Sequence, residues 1–472
     1  MTNIAEKKEK WAEAADLMMS KKISRKLLKP TLINFIKRTY STEKPLAADR
    51  TYSTATGLMP GAYDEDIYEY TKEEVDFIPK EYSEIPGPKE LPIIGNAWRF
   101  APLIGNREFL STLLRPLIEG FITKMENMLD EKNELPEYFL SEIYKWALES
   151  VARVSLNTRL GCLEPNLPKD SEAQRIIDSI NTFFWNVAEV ELKMPVWRVY
   201  KNKSFRKYIG ALEDFRTLCL KYINQSMEQM KEKNYDNIKE ENISIVERIL
   251  RKTGNPKLAA VLALDLFLVG VDTTSIAVAS TIYQLTQNPE KQQSLFEELK
   301  KVLPNADSKV DVIAQENMPY LRACIKETLR MYPVIIGNGR SLQSDAILAG
   351  YKVPKGVNFN IFVLFISNAA LLQVLCEPKP EKFNPERWLK SGTAQFGCPS
   401  QQKKIHPFIS LPFGYGRRSC LGRRFAETEL NILLAKIFRK YKVDFNYGSL
   451  SYKITPTYVP EQPLKFKLTR RN

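Results

Sequence analysis

Histidine is nearly absent: His406 is the only one in 472 residues. Multi-histidine metal sites are therefore impossible, and a Ser-His-Asp or Cys-His mechanism would have to use this one imidazole. The six cysteines (Cys162, Cys219, Cys324, Cys376, Cys398, Cys420) are scattered, with no Cys-x-x-Cys pair. That argues against a disulfide framework and against structural zinc, and fits a reducing compartment. Zinc-finger spacing, basic-region heptads and an aromatic-rich RNA-binding signature are also missing, so the formal charge of +13 is not read as nucleic-acid binding. No segment near the N-terminus offers the run of about 20 apolar residues that a membrane-spanning helix needs. The stretch Ile361 to Leu375 is apolar but too short to span, and is expected to be buried core.

The positive charge is uneven. Residues 1 to 42 hold ten Lys/Arg against four Asp/Glu, which leaves +7 of the +13 for the rest of the chain. From Met19 to Thr42 seven cations alternate with Leu27, Leu28, Leu32, Ile33, Phe35 and Ile36, without an acid. This is the composition of a mitochondrial presequence. Glu6, Glu9, Glu13 and Asp16 fit it less well, which suggests a start at Met18 or Met19. Arg38-Thr-Tyr-Ser-Thr recurs at Arg50 and resembles a matrix-protease cleavage site. The alternative is an incidental basic surface helix. The expectation is a presequence and polar leader over 1–54, a linker over 55–84 and an enzyme-sized domain over 85–472, on the matrix side of the inner mitochondrial membrane. A moderately basic body suits peripheral contact with that membrane or an acidic partner.

The domain opens on a stiff hinge, Ile85 to Asn96, whose closely spaced Pro and Gly form neither helix nor central strand. Beyond it apolar residues recur at three and four, for example over Glu137 to Leu156 and Ile209 to Met230, which predicts helices. Pro256 after Asn255 and the pair Asn288-Pro289 bracket a very long apolar helix over Leu258 to Gln287, expected to run through the core. A second helix begins near Pro319 and ends before Pro333. Strand signals are sparse and late. The fold class is mainly α, with a small β region.

The segment Phe413-Gly-Tyr-Gly-Arg-Arg-Ser-Cys420-Leu-Gly422 places two glycines and two arginines before a cysteine, with a helix-forming run, Arg424 to Phe438, after it. Glycines let the backbone turn tightly and approach a flat ligand, while a helix N-terminus and arginines favour a thiolate. A redox-sensitive cysteine or a phosphate loop are the bland readings. The segment resembles the haem loop of the cytochrome P-450 family, Phe-x-x-Gly-x-Arg-x-Cys-x-Gly, at Phe413, Gly416, Arg418, Cys420 and Gly422. His406-Pro407-Phe408 resembles the run-in to that loop, with His406 itself read as structural. Three further motifs follow family order. Glu327-Thr-Leu-Arg330 resembles Glu-x-x-Arg, whose side chains share a helix face. Pro385-Glu-Arg387-Trp388 resembles the segment that adds a second arginine. Val269-Gly-Val-Asp272-Thr273-Thr274 resembles the oxygen-side motif of the long helix.

The resemblance implies a haem-thiolate monooxygenase. Cys420 would be the metal ligand to haem b, pushing electron density onto the iron. Phe413, Gly416 and Gly422 would shape the loop, and Arg418 and Arg340 would bind the propionates. Glu327, Arg330 and Arg387 would form a buried network supporting the loop. Gly270 would let dioxygen approach the helix backbone, and Asp272 and Thr273 would be an acid–alcohol pair relaying protons; the bland reading of the threonines is bonding to carbonyls one turn back. Val269 stands where the family has Ala or Gly, and should narrow the space above the haem. Arg322, Lys326, Arg423 and Arg424 resemble the cations by which mitochondrial members dock an acidic [2Fe–2S] ferredoxin, fed by an NADPH-dependent reductase; alternatively they form a solvated face. The substrate would be a lipophilic small molecule, steroid-like or xenobiotic. The Tyr144 to Ser150 and Asn338 to Ser344 segments look most like insect mitochondrial members.

Two places depart from the family. Around 100–110 the chain passes almost directly from the hinge to a later helix, so the first β strands and the helix carrying Trp-x-x-x-Arg are missing; none of the six tryptophans is followed four residues later by Arg. Between Val357 and Pro378 an apolar run replaces an Arg-Asp-Pro-like segment. The alternative function is accordingly a truncated, non-catalytic chain that binds haem weakly or not at all. A haem-thiolate isomerase or dehydratase is disfavoured by Asp272-Thr273 and by the basic face.

Overall fold

The computed structural model describes residues 107–472, less 165–166, 169, 193–195, 232–242, 343, 349, 357, 363–380, 390–409, 417–418, 462 and 472. The expected presequence, linker and hinge, most of the apolar run to Leu375, His406 and Arg418 lie outside the described residues.

Helix α1 (Arg107–Asn127) begins at the end of the 100–110 junction. It is followed by α2 (Phe139–Leu156), α3 (Glu172–Val187), α4 (Lys203–Lys231) and α5 (Ile245–Thr253). Each predicted helix is present. Helix α6 runs from Pro256 to Gln287, 32 residues, because Asn255 caps its first turn by accepting from the Leu258 amide at 3.1 Å and Asn288-Pro289 ends it. Helices α7 (Pro289–Val302), α8 (Val312–Glu316), α9 (Pro319–Met331) and α10 (Arg423–Lys440) complete the described set.

By length and composition α6 could cross a membrane, yet most of its apolar window is buried inside the protein. It is the core helix, with α2, α4, α5, α7, α9 and α10 all packed against it. Its buried stretch from Ser275 to Thr286 is enclosed nearly all round, which explains why the sequence shows length and apolarity rather than one apolar stripe. Around it Trp146, Phe121, Phe438 and Phe466 are fully buried.

All described strands come after α9, as four antiparallel pairs: β1 (Gly337–Ser341) with β4 (Asn358–Phe362), β2 (Ala346–Leu348) with β3 (Tyr351–Val353), β5 (Tyr441–Asp444) with β8 (Lys467–Arg470), and β6 (Tyr452–Ile454) with β7 (Tyr458–Pro460). Arg340 stands opposite Phe359 in the first pair, which fixes its backbone; its side chain lies outside the described residues. In the β5–β8 pair Val443 opposes Leu468, both buried, so one apolar face closes the core under α10.

Candidate active site

The chain reaches Cys420 through two residues in the left-handed region, Gly414 (φ 68) and Gly416 (φ 70). A side chain would be strained at either. The turn is closed by the Cys420 amide, which donates to the Phe413 carbonyl at 2.7 Å, and by the Ser419 amide, which donates to the Gly416 carbonyl at 3.0 Å. Helix α10 starts three residues later, so the sulfur sits beside a helix N-terminus. The thiol is free and exposed to solvent. The protein packed around it raises its pKa, while the Gly422 amide and the Arg423 charge draw it down. Arg423 also lies over the Phe413 ring, 5.3 Å from its centroid.

A buried ionic network joins α9 to the segment around Arg387. Glu327 accepts from Arg330 Nε at 2.9 Å and Nη2 at 2.9 Å, from Arg387 Nε at 3.0 Å, from the Asn384 amide at 3.1 Å and from Trp388 Nε1 at 2.9 Å. Glu327 and Arg330 are wholly inaccessible and Arg387 nearly so. The sequence pattern anticipates the two arginines. It does not anticipate Trp388, whose indole reaches across from a short 3-10 turn, Pro385–Trp388, packed on α9.

On α6 the structure separates what the motif puts together. Asp272 is turned into the protein, where Tyr144 of α2 donates to its Oδ1 at 2.8 Å. Burial raises the Asp272 carboxyl to about 6, against hydrogen bonding from Tyr144 and Thr457. Thr273 points to the accessible side and donates to the Val269 carbonyl at 2.7 Å, the bonding one turn back that a helix-interior threonine favours. Thr274 points the other way and donates to Glu429 of α10 at 3.4 Å. Glu429 is fully buried, and burial pushes its carboxyl well up.

Gly270 also meets a neighbouring helix. A Cβ there would lie 3.1 Å from Val151 Cγ2 of α2, so its bare backbone serves the close packing of two helices. Val269, one residue earlier, is the side chain that reaches solvent.

The four cations expected on the docking face divide as well. Lys326 is exposed on α9, and the packing around it and the nearby positive charge of Arg423 hold it below the usual lysine value. Arg423 is paired with Glu427 at 2.8 Å, an acid that also meets Arg107 at 3.9 Å. Arg322 is occupied in α8, donating to the Gln315 carbonyl and, at 3.1 Å, to that of Glu316. Arg424 is half-buried. The patch thus joins the outer face of α9 to the first turn of α10, with Glu427 inside it.

The cytochrome P450 family profile matches residues 92–469. The chain belongs to the cytochrome P450 family. This P450 is 43% identical to probable cytochrome P450 49a1 of Drosophila melanogaster, over 93% of this chain and 88% of that relative. It is 36% identical to probable cytochrome P450 301a1, mitochondrial, of the same fly, over 82% of this chain and 87% of the relative. Cytochrome P450 CYP12A2 of Musca domestica is 36% identical over 74% of this chain and 65% of the relative. The first of these alignments spans 544 positions but takes in only 93% of the 472 residues here, so roughly a hundred positions of the relative have no counterpart in this P450.

Family membership makes the chain a haem-thiolate monooxygenase with haem b as its cofactor. The residues around Cys420 fit that group. The thiol is accessible, and a Cβ built on Gly416 or Gly422 would meet nothing within 4 Å, so the loop leaves room for a flat ligand against its backbone.

Proposed function

We propose that this P450 is a mitochondrial monooxygenase in which Cys420 is the haem ligand, a ferredoxin supplies the electrons, and a lipophilic small molecule receives one oxygen atom of O2. The observation that carries the reading is the accessible thiol just before the N-terminus of α10, and the buried Glu327–Arg330–Arg387 network would support its loop. Bound haem supplies dioxygen activation. Cys420 would hold it, with the Gly422 amide, Arg423 and the α10 N-terminus favouring the thiolate. Phe413, Gly416 and Gly422 would shape the floor, and Arg418 and Arg340 would pair with the propionates.

Thr273 lies on the accessible side of α6, where its hydroxyl could pass a proton onward after releasing the Val269 carbonyl. Asp272 would reload it. A carboxyl near 6 takes up and gives up protons near neutrality, and Tyr144 holds it in its resting position. Val269, exposed one turn before Thr273, would narrow the space above the haem.

The cationic patch of Lys326, Arg423, Arg424 and Arg322 suits an acidic [2Fe–2S] ferredoxin, itself reduced by an NADPH-dependent reductase. Several relatives are named mitochondrial, which supports the same compartment. Exposed Trp185, Val199, Tyr200 and Ile454, with exposed Arg198, Lys201, Lys203 and Arg206 near by in sequence, suit peripheral contact with the matrix side of an anionic membrane.

A reduced, carbon-monoxide-bound absorbance spectrum tests the reading. A thiolate-type Soret band, lost in Cys420→Ala, is the expected result. The second reading, a truncated chain that binds haem weakly or not at all, draws on the unmatched positions of the long alignment, and absence of that band would establish it over the first.

A further inference from the structure

Where α1 packs on α10, two cations lie close enough to repel each other and neither is paired with an acid among the described residues. Lys436 of α10 is only 7% exposed, yet its ammonium has a single hydrogen-bond partner among the described residues, the Asp307 carbonyl at 3.2 Å. Arg115 of α1 is half-buried, and its Nε is shut off from water without a hydrogen-bond partner among the described residues. Burial holds the Lys436 ammonium below the usual lysine value; Glu119 and Asp307 draw it up, while Lys440 and Arg115 push it down. Glu119 and Asp307 are both exposed, and neither forms an ion pair with Lys436 or Arg115 among the described residues. The other cations of this stretch are engaged: Lys440 pairs with Glu126 at 2.7 Å, and Arg439 donates to the Leu303 carbonyl at 2.8 Å and that of Pro304 at 2.6 Å.

A desolvated cation without a counter-charge is costly for the protein alone, and a bound anion offsets that cost. Arg115 and Lys436 together offer a planar fork of N–H donors and a compact ammonium. A phosphate dianion matches both charges and has an oxygen for each, whereas a single carboxylate leaves one charge unanswered. We propose that Arg115 and Lys436 form a phosphate-binding site between α1 and α10, which takes inorganic phosphate or the phosphate of a lipid headgroup. A phosphate held there ties α1 to the helix that follows Cys420, and it stabilises the folded chain because the unfolded chain lacks the site. The site uses no residue of the haem loop, the Glu327 network or the cationic patch around Lys326, so the inference stands apart from the monooxygenase reading.

The test uses the haem-loaded full chain and radiolabelled inorganic phosphate in equilibrium dialysis, with ionic strength held constant by sodium chloride. Saturable binding is expected, weakened roughly ten- to a hundredfold in Arg115→Gln and in Lys436→Met, the range for a charge-assisted contact. Lys300→Gln, which removes an exposed charge from α7, should leave it unchanged. A second arm floats the chain with phosphatidylcholine vesicles made with or without phosphatidic acid. Dialysis binding that both variants lose supports the site with free phosphate as its ligand. Flotation that requires phosphatidic acid and is lost in both variants, without dialysis binding, supports it with a lipid headgroup. Arg115→Gln, at a half-buried side chain, decides if Lys436→Met fails to fold. A wild-type chain that takes up neither probe overturns the proposal, as does binding that survives Arg115→Gln. Equal weakening in Lys300→Gln would make the binding a matter of net charge and overturn it as well.

Discussion

Glu327 carries two guanidinium charges, an indole N–H and a backbone amide on two oxygens, all inside the protein. Removing one member of such a group leaves the others charged and unpaired, at a cost of about 3–5 kcal/mol. Glu327→Gln should therefore lower stability by about that amount in urea denaturation of the haem-free chain; a change under about 1 kcal/mol would show that the network is dispensable to the fold. Asp272 makes the opposite prediction. Its carboxyl titrates near 6 when folded and near its ordinary 3.8 when unfolded, so the folded chain binds the extra proton between those values. Stability from this group is complete below the unfolded value and is lost as pH rises through about 6. The full loss is about 3 kcal/mol by linkage. Asp272→Asn should thus gain on the wild type in melts at pH 8 and not at pH 4; equal differences at both would refute the shifted carboxyl. The Glu-x-x-Arg spacing was legible because residues three apart on a helix must share a face. Trp388 on Glu327 and Tyr144 on Asp272 were not, because each contact joins separate segments far apart in the chain.

Helices α2 and α6 pack where Gly270 meets Val151, and a Cβ added to Gly270 would come within 3.1 Å of Val151 Cγ2. Alanine gains about 1 kcal/mol over glycine in a helix interior, while overpacking a core costs about 1–3 kcal/mol. Gly270→Ala should accordingly stabilise the chain more in a Val151→Ala background than in the wild type, with a coupling of about 1 kcal/mol in a double-mutant cycle. Additive effects would mean that the glycine is not there for this contact. The ends of α6 and α9 could be read from Asn255-Pro256, Asn288-Pro289 and Pro319, because caps and prolines act within a turn or two of the backbone. Which sides of α6 face core, loop or open space could not, since its apolar content runs nearly all round. That is why the packing of Gly270 against α2 had no signal in the sequence.

At the scale of the whole molecule, the exposed outer face of α9 and the start of α10 form one basic region from segments about a hundred residues apart in sequence. Lys326→Glu should raise the KM for an acidic ferredoxin several-fold at low salt, with substrate dissociation constants unchanged, and the difference should shrink as ionic strength rises. A KM insensitive to the reversal would move the docking site elsewhere. What the sequence by itself determined is the family, the haem loop, the helical core and the late strands. These are encoded in local spacing: glycines at turns, capping residues at helix ends, and four motifs in one order. The tertiary structure alone decided that Asp272 turns to Tyr144, that Thr273 and Thr274 point to opposite environments, that Gly270 packs on Val151, and that Arg322 is occupied by α8 while Lys326 is exposed at the surface. The physical reason is that a helix position has a direction only once its neighbours are in place, and those neighbours come from segments with no local signal pointing back to it.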